Sequence, residues 1–298
     1  MLTGRRVVFL GGDARQLEVI RLVTEMDASA TLVGYDNIET HFLDTKLMPL
    51  SLEAFADADA VVLPVAGMDN EGKVDTRFAE GQLQLQEEHF SALRPGTFVF
   101  SGIAGERLTS YCANHRLRLV KLMELDEVAI LNSIPTAEGA IALAMENTDI
   151  TIHGSNTTVL GFGRCGKSLA RSLFALGANV KVSARDQASE ARIFEMGLVP
   201  IPSQDLDGRL SDEDIIFNTI PHPVLSASIL AQLKKSCVVI DIASKPGGTD
   251  FRYAERRGIR ALLAPSLPGL VAPKTAGRII GNTICRILGS TESQVSGD

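Results

Sequence analysis

Positive charge is in short supply: 29 Lys and Arg stand against 36 Asp and Glu, a net −7, and the isoelectric point is near 5.4. An acidic chain of this kind has no electrostatic reason to bind nucleic acid or an anionic membrane, so an anionic ligand must find local positive charge. Long apolar runs are missing too. No stretch approaches the ~20 residues of a membrane span, and the two arginines near the N-terminus are followed only by the run 7–10, too short for a signal-peptide core. The four cysteines, Cys112, Cys165, Cys237 and Cys285, are scattered without a CxxC or a Cys/His cluster. That spacing excludes a disulfide framework and a zinc site, and no metal is expected. A reducing cytoplasm is the expected compartment. Tryptophan, internal repeats and low-complexity tracts are absent, and the small polar stretch 290–298 reads as a frayed terminus.

What is present is ample apolar material, 45% of the residues, over a length that suggests two packed units at ~150 residues per domain. Short Val-, Ile- and Leu-rich runs recur, each followed by a glycine or polar turn and a stretch of helical periodicity. They lie near 6–10, 31–34, 60–65, 97–100 and 117–122 in the first half, and near 158–160, 179–183, 215–220, 238–242 and 259–263 in the second. Nearly continuous apolar strands suit parallel sheets covered on both faces. The fold class is therefore α/β, with two doubly wound parallel-sheet (Rossmann-like) domains and a cleft between them as the ligand site. Residues 1–134 are expected to form a flavodoxin-like substrate domain, 135–150 a connecting helix with Pro135 in its first turn, and 151–271 the cofactor domain. The stripe Ala276, Ile279, Ile280, Ile284, Ile287 and Leu288 marks a final helix, 272–290, that crosses back to the first domain. The Gly- and Pro-containing stretch 265–273 is either punctuation or a loop lining the cleft.

The strongest local signal is Gly161-Phe162-Gly163-Arg164-Cys165-Gly166, preceded by an apolar strand and opening a helix with Leu169, Leu173 and Leu176 on one face. Gly161 permits the tight turn, Gly163 lets the backbone approach a pyrophosphate, and Gly166 lets helix and strand pack closely. The free N–H groups and the dipole of the helix start then hold phosphate charge. The next strand ends Ser183-Ala184-Arg185, without the acid that binds the ribose 2′-hydroxyl of NAD. Ser183 and Arg185 offer a charged fork to a 2′-phosphate, with Arg164 in reinforcement, which argues for NADP. In the other reading Asp186 plays the NAD role one position later. Thr219, Ile220 and Pro221, and also Ser244, follow strand ends on the same side of the sheet and are placed at the ribose or nicotinamide end.

The first half opens with strand, Gly11-Gly12-Asp13-Ala14-Arg15-Gln16, then helix. Without GxGxxG a second dinucleotide is not expected, and the turn either packs tightly or holds an anion through its N–H groups beside Arg15. Ser101 with Gly102, and Thr136 with Glu138, are placed to face the cleft. The five histidines are His41, His89, His115, His153 and His222. The late His and Glu of 2-hydroxy acid dehydrogenases are missing, and Lys245 stands near the place of their Arg. His222 is either a base at the nicotinamide end or a loop residue between two prolines.

Longer stretches carry a more specific likeness: GGDARQLEVIRLVTE from Gly11, LNSIPTAEGAIALA from Leu131, TIHGSNTTVLGFGRCGKSLAR from Thr151, LGANVKVSAR from Leu176, EMGLVPIP from Glu195, and ASKPGGTDFRYAERRGIRALLAPSLPGLVAPKTAGRI from Ala243. Over nearly its whole length the chain resembles the family of dipicolinate synthase A subunits. The resemblance implies an NADP-linked oxidoreductase of sporulating bacteria, in the mother-cell cytoplasm, on a branch of the lysine pathway. It would oxidise dihydrodipicolinate, or dehydrate and oxidise its hydroxytetrahydro precursor, to pyridine-2,6-dicarboxylate. The flavoprotein-like B subunit of dipicolinate synthase is implied as partner, and contacts with further copies of the chain are expected. For that chemistry Asp13 and Glu138 are candidates for proton transfer, and Gly12, Arg15, Ser101, Gly102, Thr136 and Lys274 for holding carboxylates. The alternatives are a non-catalytic NADP-binding chain that regulates the B subunit, and a related amino or hydroxy acid dehydrogenase.

Overall fold

The computed structural model describes residues 1–290, so the tail beyond Ser290 lies outside the described residues. The chain divides into two units, Met1–Leu131 with the segment from Pro273 onward, and Asn132–Ala272.

In the first unit the strands are β1 (Arg6–Leu10), β2 (Ser29–Val33), β3 (Thr45–Leu47), β4 (Ala60–Val62), a short antiparallel pair β5 (Lys73–Val74) and β6 (Leu83–Gln84), then β7 (Phe98–Ser101) and β8 (Arg118–Lys121). Six of them form one parallel sheet in the order β3-β2-β1-β4-β7-β8. With the small hairpin set aside, that is the 3-2-1-4-5-6 order of a dinucleotide fold, not the 2-1-3-4-5 order of flavodoxin. The flavodoxin-like expectation is corrected accordingly. Strand β1 shows why the sheet is covered on both sides: Val8 and Leu10 enter one core, while Val7 and Phe9 enter the other. Successive side chains point to opposite faces, so two cores demand an unbroken apolar run.

The second unit repeats the order with β9 (Asn156–Leu160), β10 (Asn179–Ala184), β11 (Val199–Pro202), β12 (Ile215–Asn218), β13 (Val238–Asp241) and β14 (Arg260–Leu263), arranged β11-β10-β9-β12-β13-β14 and all parallel. Two strands that the sequence does not announce, β3 and β11, are outer strands. Strand β3 is a polar three-residue piece, and β11 reads Val-Pro-Ile-Pro, where two residues lack the N–H a central strand would need.

Two helix boundaries differ from expectation. The connecting helix runs Asp126–Asn147, so Pro135 lies inside it rather than in its first turn. Asp126 and Glu127 supply the negative charge that suits a helix start. Pro135 removes one N–H, a defect of about 3 kcal/mol in a helix interior, and the Thr136 hydroxyl donates to the Asn132 carbonyl at 2.8 Å in the same turn. Among the described residues this is the one helix long and apolar enough to cross a membrane by length and composition. Its Ala137, Ala140, Ile141 and Ala144 are part of the second unit's core.

The final helix, Pro273–Ser290, packs on Ala14–Glu25 within the first unit, with Ile280, Ile284 and Leu288 joining Val19, Ile20 and Val23. Small residues let the two approach: a β-carbon on Gly277 would lie 2.4 Å from the Arg15 carbonyl oxygen, and one on Gly281 2.7 Å from Leu22. Arg278 meets Glu18 at 3.3 Å, and Arg286 meets Glu127 at 2.6 Å.

Candidate functional site

Strand β9 runs into the glycine turn, and the helix Arg164–Ala175 starts immediately after it. Gly161 has φ +99°, and a β-carbon there would lie 2.4 Å from the Thr219 hydroxyl. A β-carbon on Gly166 would lie 2.1 Å from the Gly161 carbonyl oxygen. Gly163 is the opposite case, with nothing within 4 Å of the position its β-carbon would take. The first and third glycines are thus required by packing, and the second leaves open space in front of the backbone. That division is what a pyrophosphate needs.

A cavity of about 490 Å³ opens there, lined by Gly161, Phe162, Gly163, Ser183, Ala184, Arg185, Asp186, Ser189, Ser203, Thr219, Ile220 and Pro221. Ser183 is 1% exposed and its hydroxyl has no hydrogen-bond partner among the described residues. A buried polar atom without a partner, on the wall of a cavity, fits a ligand that supplies one. The cavity accordingly suits a dinucleotide. Asp186 is on the cavity lining, and both of its carboxylate oxygens already accept a hydrogen bond. It caps the helix Gln187–Glu195, accepting from the Ser189 N–H and hydroxyl, both at 2.8 Å, and these bonds hold it below the usual carboxylate range. Arg185 is exposed, with no carboxylate in ion-pair distance among the described residues.

The remaining wall is fastened from behind. The carboxamide of buried Asn218 accepts from the Ile220 N–H and donates to the Ile220 carbonyl, both at 3.0 Å, while the Thr219 hydroxyl donates to Leu160 at 2.9 Å. Asp241, 0% exposed, accepts from the Ala243 N–H at 3.1 Å, the Gly248 N–H at 2.8 Å and the Thr249 hydroxyl at 2.7 Å. This anchors the loop that carries exposed Ser244 and Lys245. Ser244 and His222 are exposed and outside the cavity lining; exposed Arg164, half-buried Cys165 and buried Gly166 lie outside the lining as well. Burial pushes the Cys165 thiol up, against the Arg164 charge and a hydrogen bond with Thr136.

At the head of β1, of the two readings the sequence leaves open, the glycine N–H groups follow the tightly packed one. The Gly11 N–H donates to the Val33 carbonyl at 2.9 Å and the Gly12 N–H to the Asp75 carbonyl at 2.8 Å, so neither is free to hold an anion. Asp13 caps the helix Ala14–Glu25 and takes the Arg15 side chain at 2.7, 3.0 and 3.1 Å together with the Arg15 N–H at 2.9 Å. Burial acts to raise the Asp13 carboxyl, but these bonds and the charges of Arg15 and Arg77 outweigh it and hold it below the ordinary range. The turn thus supplies its own carboxylate, and Arg15 is a partner rather than an open clamp.

Other expected contacts also have local employment. Ser101, 0% exposed, donates to the Ile103 carbonyl, and a β-carbon on Gly102 would lie 2.3 Å from the Val65 carbonyl oxygen, so both are spent on packing. Thr136 turns to its own helix, as described above. Glu138 is exposed on that helix, and Lys274 is exposed in the first turn of Pro273–Ser290. Two lining residues, Ser189 and Ser203, are not singled out by the sequence reading. Ser189 is legible as the third residue after an N-cap Asp, whereas Ser203 follows the unannounced strand β11.

Residues 6–123 match the family described as the N-terminal domain of the dipicolinate synthase A subunit, and 136–245 match the D-isomer specific 2-hydroxyacid dehydrogenase, NAD binding domain. The dipicolinate synthase A subunit of Bacillus subtilis (strain 168) is 46% identical over 270 residues, 91% of this chain and 91% of that protein. The crystal structure of the dipicolinate synthase A subunit from Bacillus halodurans matches with a TM-score of 0.94 at 49% identity, covering 97% of this chain and 99% of its own. The A chain of dipicolinate synthase from Bacillus subtilis matches with a TM-score of 0.94 at 46% identity, covering 99% of both. The second unit is therefore a nicotinamide dinucleotide domain, which is the equipment of an oxidoreductase. Identity of this order over nine tenths of the sequence places the chain in the family of dipicolinate synthase A subunits.

Proposed function

We propose that this chain is an NADP-linked dehydrogenase that forms pyridine-2,6-dicarboxylate from dihydrodipicolinate, or from a hydroxytetrahydro precursor that first loses water. The observation that carries the substrate reading is the 46% identity to the dipicolinate synthase A subunit over 91% of the chain. The observation that carries the cofactor reading is local: Asp186 is committed to its helix cap and Arg185 is not committed to any acid. A free guanidinium beside a cavity lined by three serines suits a phosphate monoester better than a bare ribose hydroxyl.

When bound, the nicotinamide supplies a hydride acceptor. The ring loses one hydride and one proton, and aromaticity drives the balance forward. The chain has to hold a planar dianion and take the proton. Asp13 is held in its ionised form, and it takes a proton only by giving up hydrogen bonds to Arg15. Glu138, exposed and without an ion-pair partner among the described residues, is the freer acceptor. The reading includes a companion chain, the B subunit, since the lettered name of the relatives implies a second chain, and a cytoplasmic place in a sporulating cell.

Incubation of the purified chain with NADP and freshly generated dihydrodipicolinate is expected to raise the reduced-nicotinamide and pyridine absorbances together. Silence of the chain both alone and with the B subunit overturns the dehydrogenase reading; activity only in the presence of that companion supports a shared or regulated site. In fluorescence titrations NADPH is expected to bind more tightly than NADH. Arg185→Ala is expected to weaken NADPH by about 10- to 100-fold, with little change for NADH. Equal affinity of the wild type for both, or a preference for NADH, overturns the cofactor assignment.

A further inference from the structure

In a 3-2-1-4-5-6 sheet the ligand crevice lies at the C-terminal ends of the strands, where the order reverses beside β1. In the first unit the chain itself occupies that place. The excursion between β4 and β7 comes back over the head of β1, and Thr76 makes an isolated parallel bridge with Gly12. The Gly12 N–H donates to the Asp75 carbonyl at 2.8 Å, and the Arg77 N–H donates to the Gly12 carbonyl at 3.0 Å. On the β2 side, the Phe78 ring stacks on Tyr35 with centroids 6.0 Å apart. Leu83 lies over Gly34, 2.6 Å from where a β-carbon would sit. A dinucleotide has no room against this backbone, so the ligand that fits is small.

Three features at the same spot select its charge. The Asp13–Arg15 pair is closed and neutral, held by the contacts already described. Arg77, fixed by its backbone to Gly12, is exposed and has no carboxylate within 4.0 Å among the described residues, although its charge is felt at Asp13. Two guanidinium groups therefore face one carboxylate, an excess of one positive charge. Asp75 and the acids Asp69 and Glu80 belong to the lining of a neighbouring cavity formed by the same excursion. Gln16 is 2% exposed, its side chain lies against Gly12, and its amide nitrogen has no acceptor among the described residues. A buried amide donor without an acceptor, next to an uncompensated arginine, is an arrangement that an incoming carboxylate completes.

We propose that Arg77, assisted by the Gln16 carboxamide, binds one carboxylate of the substrate at the head of β1, and that the Asp13–Arg15 pair is the frame that aims this contact. The proposal deepens the dicarboxylate reading and rests on it. The excursion is then the specificity element of the first unit: it fills the nucleotide place and brings its own cation to what remains.

Calorimetric titration of the full chain with pyridine-2,6-dicarboxylate, and in parallel with pyridine-2-carboxylate, with and without NADP, tests it. The wild type is expected to bind the dicarboxylate in preference to the monocarboxylate. Arg77→Ala is expected to weaken the dicarboxylate by about 10- to 100-fold and to reduce that preference, with an unchanged melting temperature because the side chain is exposed. Arg77→Lys, which keeps the charge and loses the planar fork, is expected to fall between. Gln16→Leu is expected to weaken binding by about tenfold while leaving the fold at least as stable, because it removes an unpaired buried donor. Unchanged affinity in Arg77→Ala overturns this assignment and leaves the dehydrogenase reading standing. Failure of the wild type to bind the dicarboxylate under either condition overturns the dicarboxylate reading and this inference with it.

Discussion

Gly166→Ala is expected to abolish cofactor binding while leaving the chain folded. The added β-carbon would lie 2.1 Å from the Gly161 carbonyl oxygen and 2.9 Å from its carbon. Backbone atoms cannot swing aside as a flexible side chain does, so the helix Arg164–Ala175 must move away from the end of β9. That movement displaces the first-turn N–H groups and the helix dipole together, and charge-assisted bonds to phosphate are worth about 1.5–3 kcal/mol each. Loss of two such bonds corresponds to an affinity drop of more than about 100-fold. Titration with NADPH, beside a far-ultraviolet spectrum that stays native, checks it. Binding within about threefold of wild type would show that the turn relaxes without losing its geometry. Gly163→Ala is the informative contrast: its β-carbon meets no protein atom within 4 Å, so any loss of binding there reports the ligand's own approach.

Asp241→Ala is expected to be the most destabilising single change in the second unit. The carboxylate is wholly buried and satisfies three donors, the Ala243 N–H, the Gly248 N–H and the Thr249 hydroxyl. Removing it leaves those donors in a site with no replacement acceptor, at about 3–5 kcal/mol in total. Asp241→Asn keeps one acceptor but sets an amide N–H₂ against a backbone N–H, and it should fall between. Urea unfolding with an unchanged slope is the measurement. A midpoint shift worth less than about 1 kcal/mol would mean that water reaches the loop and pairs the three donors. Because Gly248 is also packed against the His222 and Ile220 carbonyl oxygens, the loss should loosen the turn after β12 as well.

The two halves of the molecule are legible in sequence to different degrees. Strands buried on both faces declare themselves through runs such as Val7 to Leu10, and the glycine turn after β9 is readable because each glycine answers a separate steric demand. The outer strands β3 and β11 are not legible, since an outer strand tolerates the polar residues and prolines that a central one forbids. At the head of β1 the sequence shows a glycine pair, an acid and an arginine in a row. The Gly11 N–H is taken by Val33 and the Gly12 N–H by Asp75, more than sixty positions away, and no local pattern announces either pairing. For the same reason Ser101 and Gly102 look available in the sequence when they are committed to Ile103 and Val65. Arg77 escapes notice because it lies on no regular element.

The close packing of Pro273–Ser290 on Ala14–Glu25 has a consequence for how the chain is made. Glu18 and Arg278 are 260 positions apart, and the whole second unit is encoded between them. A ribosome therefore releases β1 and its helix long before the helix that covers Val19, Ile20 and Val23 exists. During that interval an apolar face waits uncovered while the second unit, continuous in sequence, is free to fold. Domains generally fold as units as they emerge, and long-separated contacts form late. The nucleotide half is thus complete before the half that holds Arg77, and the nascent chain is most exposed to aggregation just before its final helix is released.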